Sequence, residues 1–552
     1  MTAPHRGDGE AAGGAAGGLA RHAAQITAGN LASRLTGLVR VVAVAGALGT
    51  TFLGNTYQTA NLVSNILFEL LAAGLLSSVL VPPFVRLIEA GRPDEADEVA
   101  GALLGLGLVA LGAVTVAGLL GRTWIMRGLT VAVPDAGVRA AEVRLGSFLL
   151  LLFLPQVLLY AVGAVATALL TGARRFAAPS FAPVANNVVV VSTMAIFWVM
   201  ERGGRPGGAA GLDVPAAQKL VLAVGTTAGV AAMTLVAVLG ARRAGFRLRP
   251  RWRPGHPEVR ALGRAGAWGV AYLACNQALV ATTLVLANRV AGGVVAYQIA
   301  FTVFLLPFAV AAHPTLTAVY PRLVTEAAAR RWRAFADGLS SSGATIVFLV
   351  APAAALVVAL GRPALGLVRL GRLDAGGVAL AARVLAAYAL GLVGYAGFQL
   401  LTRAAYAAGD TRTPALVNGA MALGGSVLMV GLGALATGGD RVVVLGLAHS
   451  AAMVGGAAAL AVAVRRRVGE RCLAPGTLAR GLAAAVAAGV VARLVADRVG
   501  GGGRAAAVAA VAAGTVGGAA VYLAAQWSLR APELRRWRAP GAPVSPEPEP
   551  AP

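Results

Sequence analysis

Fourteen long apolar stretches follow one another between about Gln25 and about Trp527, with almost no soluble sequence between them. Each is about 20 residues or longer, the length at which a helix crosses the ~30 Å hydrocarbon layer of a bilayer. That leaves no room for a separate water-soluble domain. The chain reads as an all-α polytopic membrane protein, with function in the residues that break the apolar pattern.

Composition agrees. Hydrophobic residues make up 58% of the chain and charged residues 13%, with mean hydropathy +0.75; soluble domains carry about 25% charged residues. The net charge of +24 invites a nucleic-acid partner. The arginines argue against one, because they recur between spans rather than on one face, as loops beside membrane helices require. Arg and Lys concentrate in alternate loops, most densely at Arg242, Arg243, Arg247, Arg249, Arg251, Arg253, Arg260 and Arg264, and again at Arg465, Arg466, Arg467 and Arg471. This bias predicts cytoplasmic N- and C-termini. The clusters read as topology signals or as contacts with anionic lipid headgroups. Cys275 and Cys472 lack metal-ligand spacing and read as packing residues. No secretory leader is read: residues 1–22 are Gly/Ala-rich and expected to be disordered, as is the Pro/Glu-rich tail from about 539.

An internal repeat sets the organisation. Leu169-Leu170-Thr171 and Leu400-Leu401-Thr402 each precede a proline twelve residues after the threonine, Pro183 and Pro414, and an Asn follows within one turn, Asn186 and Asn418. Six spans separate the copies, so both halves enter from the same side. This predicts two pseudo-symmetric six-helix lobes in parallel repeat, 23–241 and 261–464, joined by a basic loop at 242–260. Two further helices lie in 465–527, and a tail covers 528–552. Transporters built this way rock one half against the other around a central site.

Span one carries Ser33, Arg34 and Arg40, each arginine unfavourable by ~2.5–3.5 kcal/mol at mid-helix. Ser33 and Arg40, seven apart, share a face. The arginines either face an anion in a cavity or snorkel to the surface. Span two carries Asn65 and Glu69 four residues apart, with polar neighbours Asn55, Gln58 and Asn61. Glu69 is a candidate ion-pair partner for a span-one arginine, or a proton site. The second half offers Asn276, Gln277, Gln298, Thr302, His313, Gln399 and Arg403, read singly as interhelical glue and together as a polar lining. Pro155, Pro307, Pro314 and Pro352 are expected to kink their spans. No catalytic constellation, metal-ligand spacing or phosphate loop is read, so ATP hydrolysis and enzyme chemistry are not expected.

These motifs resemble the MurJ/MviN family of lipid II flippases, within the superfamily that also holds multidrug and polysaccharide exporters. The resemblance rests on Ser33-Arg34-x-x-Gly37-x-x-Arg40, on Asn65 with Val81-Pro82, on Arg174-Arg175-Phe176 with Pro179, Phe181, Ala182, Pro183 and Asn187, and on Tyr406, Asp410, Thr413 and Pro414. It covers about residues 25–530. It implies a plasma-membrane protein moving the lipid-linked disaccharide-pentapeptide (lipid II) from the inner to the outer leaflet by alternating access. It also implies a groove for the lipid tail at the last two helices.

Ser33, Arg34, Arg40 and Asn65, which match the family pattern, together with Glu69, Gln277, Thr302 and Gln399 from the polar lining, are the expected cargo-contacting residues. The chain departs from better-known members at Asn55, Phe68, Glu69, Ala73, Thr302, Leu305 and Gln399, where they carry other, mostly charged, residues, and so resembles the actinobacterial branch. No cofactor or metal is carried over. Two other readings stay open: export of another undecaprenyl-linked saccharide or amphiphile, and a non-transporting scaffold binding cell-wall synthesis proteins.

Overall fold

Without water to satisfy backbone groups, each segment in lipid must close its own hydrogen bonds, and helices do so. The computed structural model describes residues 8–69, 81–201, 207–253, 267–470, 475–501 and 503–534. Among them lie α1 (Asp8–Leu48), α2 (Phe52–Phe68), α3 (Val81–Glu89), α4 (Pro93–Leu129), α5 (Ala136–Phe153), α6 (Gln156–Gly172), α7 (Ala177–Glu201), α8 (Ala216–Arg243) and α9 (Ala267–Ala287). They continue as α10 (Gly293–Pro307), α11 (His313–Ala328), α12 (Trp332–Leu367), α13 (Ala375–Ala389), α14 (Leu392–Ala407), α15 (Arg412–Leu435), α16 (Asp440–Val468), α17 (Pro475–Val499) and α18 (Arg504–Ser528). Leu120 and Leu435 are 80% and 84% exposed, as lipid-facing residues of a membrane bundle should be.

Twelve helical stretches among the described residues are long and apolar enough to span a bilayer, or thirteen with α13 and α14 taken as one span bent by 44°. The second expected span passes through residues 70–80, including Ala73, outside the described residues, so the count of fourteen stays an expectation. Residues 254–260 of the basic loop, Arg264, Arg471, Cys472 and the tail from 535 also lie outside them. α1 starts inside the leader expected to be disordered. Extending a helix already nucleated by an apolar span is easier than starting one, which favours this outward growth.

The prolines act unequally. Pro155 separates α5 from α6, and Pro307 and Pro314 flank a π-turn, Phe308–Ala312, between α10 and α11. Helix α12 runs on through Pro352 without a break in its helical structure.

By backbone proximity the chain forms two compact units, which differ from the expected lobes. One comprises Met1–Val303, Val368–Val384 and Ala415–Ala448, the other Phe304–Leu367, Leu385–Pro414 and His449–Pro552. The first unit joins the two sequence halves because polar side chains of α2 bond the turn between α9 and α10. Asn55 Nδ2 donates to Val290 O (2.8 Å), the Val294 N–H donates to Asn55 Oδ1 (3.0 Å), and Asn288 Nδ2 donates to Thr59 Oγ1 (3.1 Å). Its core packs Leu53, Tyr57, Met126, Leu149, Phe153 and Phe197. In the second unit α12, α17 and α18 meet through small residues. A Cβ at Gly518 would lie 2.8 Å from Leu356 Cδ2 and 2.9 Å from Ala488 O, so only glycine permits this approach.

The repeat is visible in side-chain bonding. Both copies fold as helix, short turn, helix: α6 to α7 and α14 to α15. Asn187 Nδ2 donates to Ser33 O (3.3 Å) and Thr36 Oγ1 (3.0 Å) of α1; Asn418 Nδ2 donates to Tyr272 O (2.7 Å) of α9. Each Asn lies four residues after its proline and grips the first helix of its own half. Asn187, rather than the expected Asn186, is therefore the counterpart of Asn418.

Candidate functional site

Helix α1 carries both arginines, and α7 holds it through Asn187. At Gly29 a Cβ would meet Ser180 Cβ at 2.3 Å, so α1 and α7 touch along small residues. Arg34 is exposed and Arg40 half-buried, and neither forms an ion pair among the described residues. Arg40 lines a cavity of about 10 Å³ with Val41, Val44, Tyr57, Gln58, Asn61, Val190 and Gln298, room for about one water. Gln58, Asn61 and Gln298 were visible in the sequence only as polar neighbours; the structure sets them around the guanidinium. Tyr57 is fixed beside them by a 2.8 Å hydrogen bond with Thr226.

Glu69 does not meet an arginine of span one, as expected for an ion pair; its carboxylate accepts from Gln277 Nε2 of α9. Helix rotation explains this, since Glu69 follows Asn65 by one turn and Asn65 Oδ1 accepts from Tyr160 Oη of α6 (3.1 Å). Thus the structure brings together Glu69 with Gln277, and Asn65 with Tyr160. Thr302, on α10, and Gln399, on α14, are half-buried and make no side-chain hydrogen bond among the described residues. Thr302 belongs to the first unit and Gln399 to the second. Sequence reasoning missed Tyr160 and the fully buried Glu142, whose Oε1 accepts from Thr56 Oγ1 (3.2 Å). A lone acid in an apolar stretch was the available signal for Glu142.

The largest arginine cluster has a structural task as well. Residues after α8 lie along the start of α4, where Arg251 N–H donates to Gly101 O (2.8 Å) and Arg247 N–H to the Asp97 carboxylate. Arg251 and Arg253 pair with Glu98 at 2.6 and 3.7 Å. These two guanidiniums already face a carboxylate, which weakens the lipid-headgroup reading for this stretch.

A family model described as lipid II flippase MurJ matches residues 44–505. The chain belongs to the MurJ lipid II flippase family. The match begins after Arg40, so the α1 arginines rest on their own pattern and on the geometry above. A probable lipid II flippase MurJ of Rhizobium meliloti is 28% identical over 405 residues, 73% of each chain. The lipid II flippase MurJ of Burkholderia cenocepacia is 26% identical over 395 residues, 70% of this chain and 72% of that one. The fold is similar to a solved lipid II flippase MurJ in an inward closed conformation, with TM-score 0.73 and 17% identity over 93% of this chain and 99% of that one. It is also similar to an inward-facing multidrug resistance MATE transporter of the MOP superfamily (TM-score 0.61, 17% identity, covering 79% and 94%). MurJ membership thus agrees with the family that the sequence motifs resemble.

Proposed function

We propose that this MurJ-family chain moves the lipid-linked disaccharide-pentapeptide precursor, lipid II, from the inner to the outer leaflet of the plasma membrane by alternating access. Both termini are cytoplasmic in this reading, and the protein is a carrier rather than an enzyme. Family membership supports the cargo. The observation that carries the site is Arg40, a guanidinium with no counter-ion among the described residues, set among Gln58, Asn61 and Gln298. A diphosphate presents the anionic oxygens that such a group binds most strongly. Arg34 meets the cargo nearer the cytoplasmic surface. Ser33, Asn65, Glu69, Gln277, Thr302 and Gln399 supply neutral or orienting hydrogen bonds. Anionic lipids and cell-wall synthesis proteins are further partners in this reading.

A strain depleted of its own flippase tests it. The native chain should restore growth and outer-leaflet lipid II, and a chain that inserts but leaves lipid II inside would overturn the cargo. The uncharged Thr302 and Gln399 favour one alternative, export of another undecaprenyl-linked saccharide. In that case the sugar accumulating on deletion would differ from lipid II.

A further inference from the structure

The segment between α12 and α13 packs on the end of α1 within the first unit. Gly371 adopts φ +55°, and a Cβ there would lie 2.3 Å from Gly46 O, so the segment lies directly against the end of α1. The Arg372 N–H then donates to Gly46 O (2.7 Å), and Arg372 Nη1 reaches Glu201 Oε1 at 2.6 Å. Glu201 ends α7 with its side chain 8% exposed; that of Arg372 is 33% exposed. A carboxylate at a helix C-terminus is disfavoured by the helix dipole, so Glu201 needs the guanidinium it has. At the same end Asn55 caps α10 and Thr59 pairs with Asn288. All these contacts join the first sequence half to the second.

We propose that the Glu201–Arg372 pair is a latch that holds this end of the seam shut and parts in each transport cycle. Its position fits that task. Arg372 is partly open to water, so on parting the charges can be solvated rather than left in lipid. The same pair deep in the spans would separate into lipid at a far higher cost. Asn55 and Asn288 bond across the same two sequence halves and part with it. The latch deepens the proposed transport function and rests on its alternating-access cycle.

The first test needs no cargo. Take the full chain in detergent with Cys275→Ala, Cys472→Ala and Thr59→Cys, the new thiol replacing a fully buried residue that bonds Asn288 across the seam. A water-soluble maleimide should label it slowly. Adding Glu201→Gln should speed labelling at least about tenfold, because labelling follows the open population; an unchanged rate would overturn the latch. The second test uses Glu201→Cys with Arg372→Cys. Oxidative cross-linking should abolish outer-leaflet delivery and reduction should restore it. Delivery that persists in the fully cross-linked chain would also overturn the latch. Failure of the native chain to deliver lipid II would instead overturn the cargo reading, while the labelling result would still judge the latch.

Discussion

Asn187 and Asn418 each donate a carboxamide to a backbone carbonyl in the first helix of their half. Such interhelical bonds in membranes contribute about 0.6–1.7 kcal/mol, so Asn187→Ala and Asn418→Ala should each lower stability to detergent unfolding by roughly 1 kcal/mol. Asn186→Ala should change it less. The sequence showed two asparagines side by side and could not choose between them, because the choice depends on which one faces α1.

Asp410 precedes α15 and accepts the Thr413 N–H (2.9 Å). Burial pushes its carboxyl up, but the Thr413 and Arg412 hydrogen bonds and nearby Arg467 outweigh that and hold it below the ordinary 3.8. A depressed carboxyl contributes stability above its unfolded value and loses it as pH falls through the folded one. Asp410→Ala should therefore cost about 1 kcal/mol at neutral pH. The gap to the native chain should close as pH drops below 3.8, measured by unfolding at each pH.

At the scale of elements, glycines decide which helices and straps come together. A Cβ at Gly101 would lie 2.6 Å from Arg249 O, and one at Gly105 would lie 2.2 Å from Arg251 O. Gly101→Leu should lift the strap formed by Arg247–Arg253 off α4 at a cost of about 1–3 kcal/mol, and limited trypsin digestion should then cut it faster. Unchanged cleavage would show that the strap does not depend on this groove. The long apolar stretches marked nearly every span in advance, since length and hydrophobicity alone set them. The strap was not legible, because a glycine four residues from another in a membrane helix equally predicts a helix–helix contact. The interruption at Pro155 was legible, whereas Pro352 sits inside a continuous helix: a helix accommodates proline where neighbours and local geometry re-satisfy the freed carbonyl.

At the scale of the whole molecule, the all-helical fold class followed from the run of apolar spans, and the repeat spacing has its counterpart in the Asn187 and Asn418 contacts. The compact units did not, because they depend on polar contacts of α2 with the turn at Val290–Val294, which no single-helix pattern contains. The site was half legible. Polar breaks in apolar helices pointed to Arg40, Asn65, Glu69 and Gln277. The pairing of Glu69 with Gln277 needed the rotation of α2 about its axis. In the proposed mechanism Arg40 binds the cargo diphosphate, and the most direct measurement is leaflet-resolved accessibility of lipid II in flippase-depleted cells carrying Arg40→Ala at native membrane levels. Loss of a charge-assisted contact of about 3 kcal/mol should cut outer-leaflet lipid II delivery by roughly 100-fold. Delivery at the native rate would contradict the account.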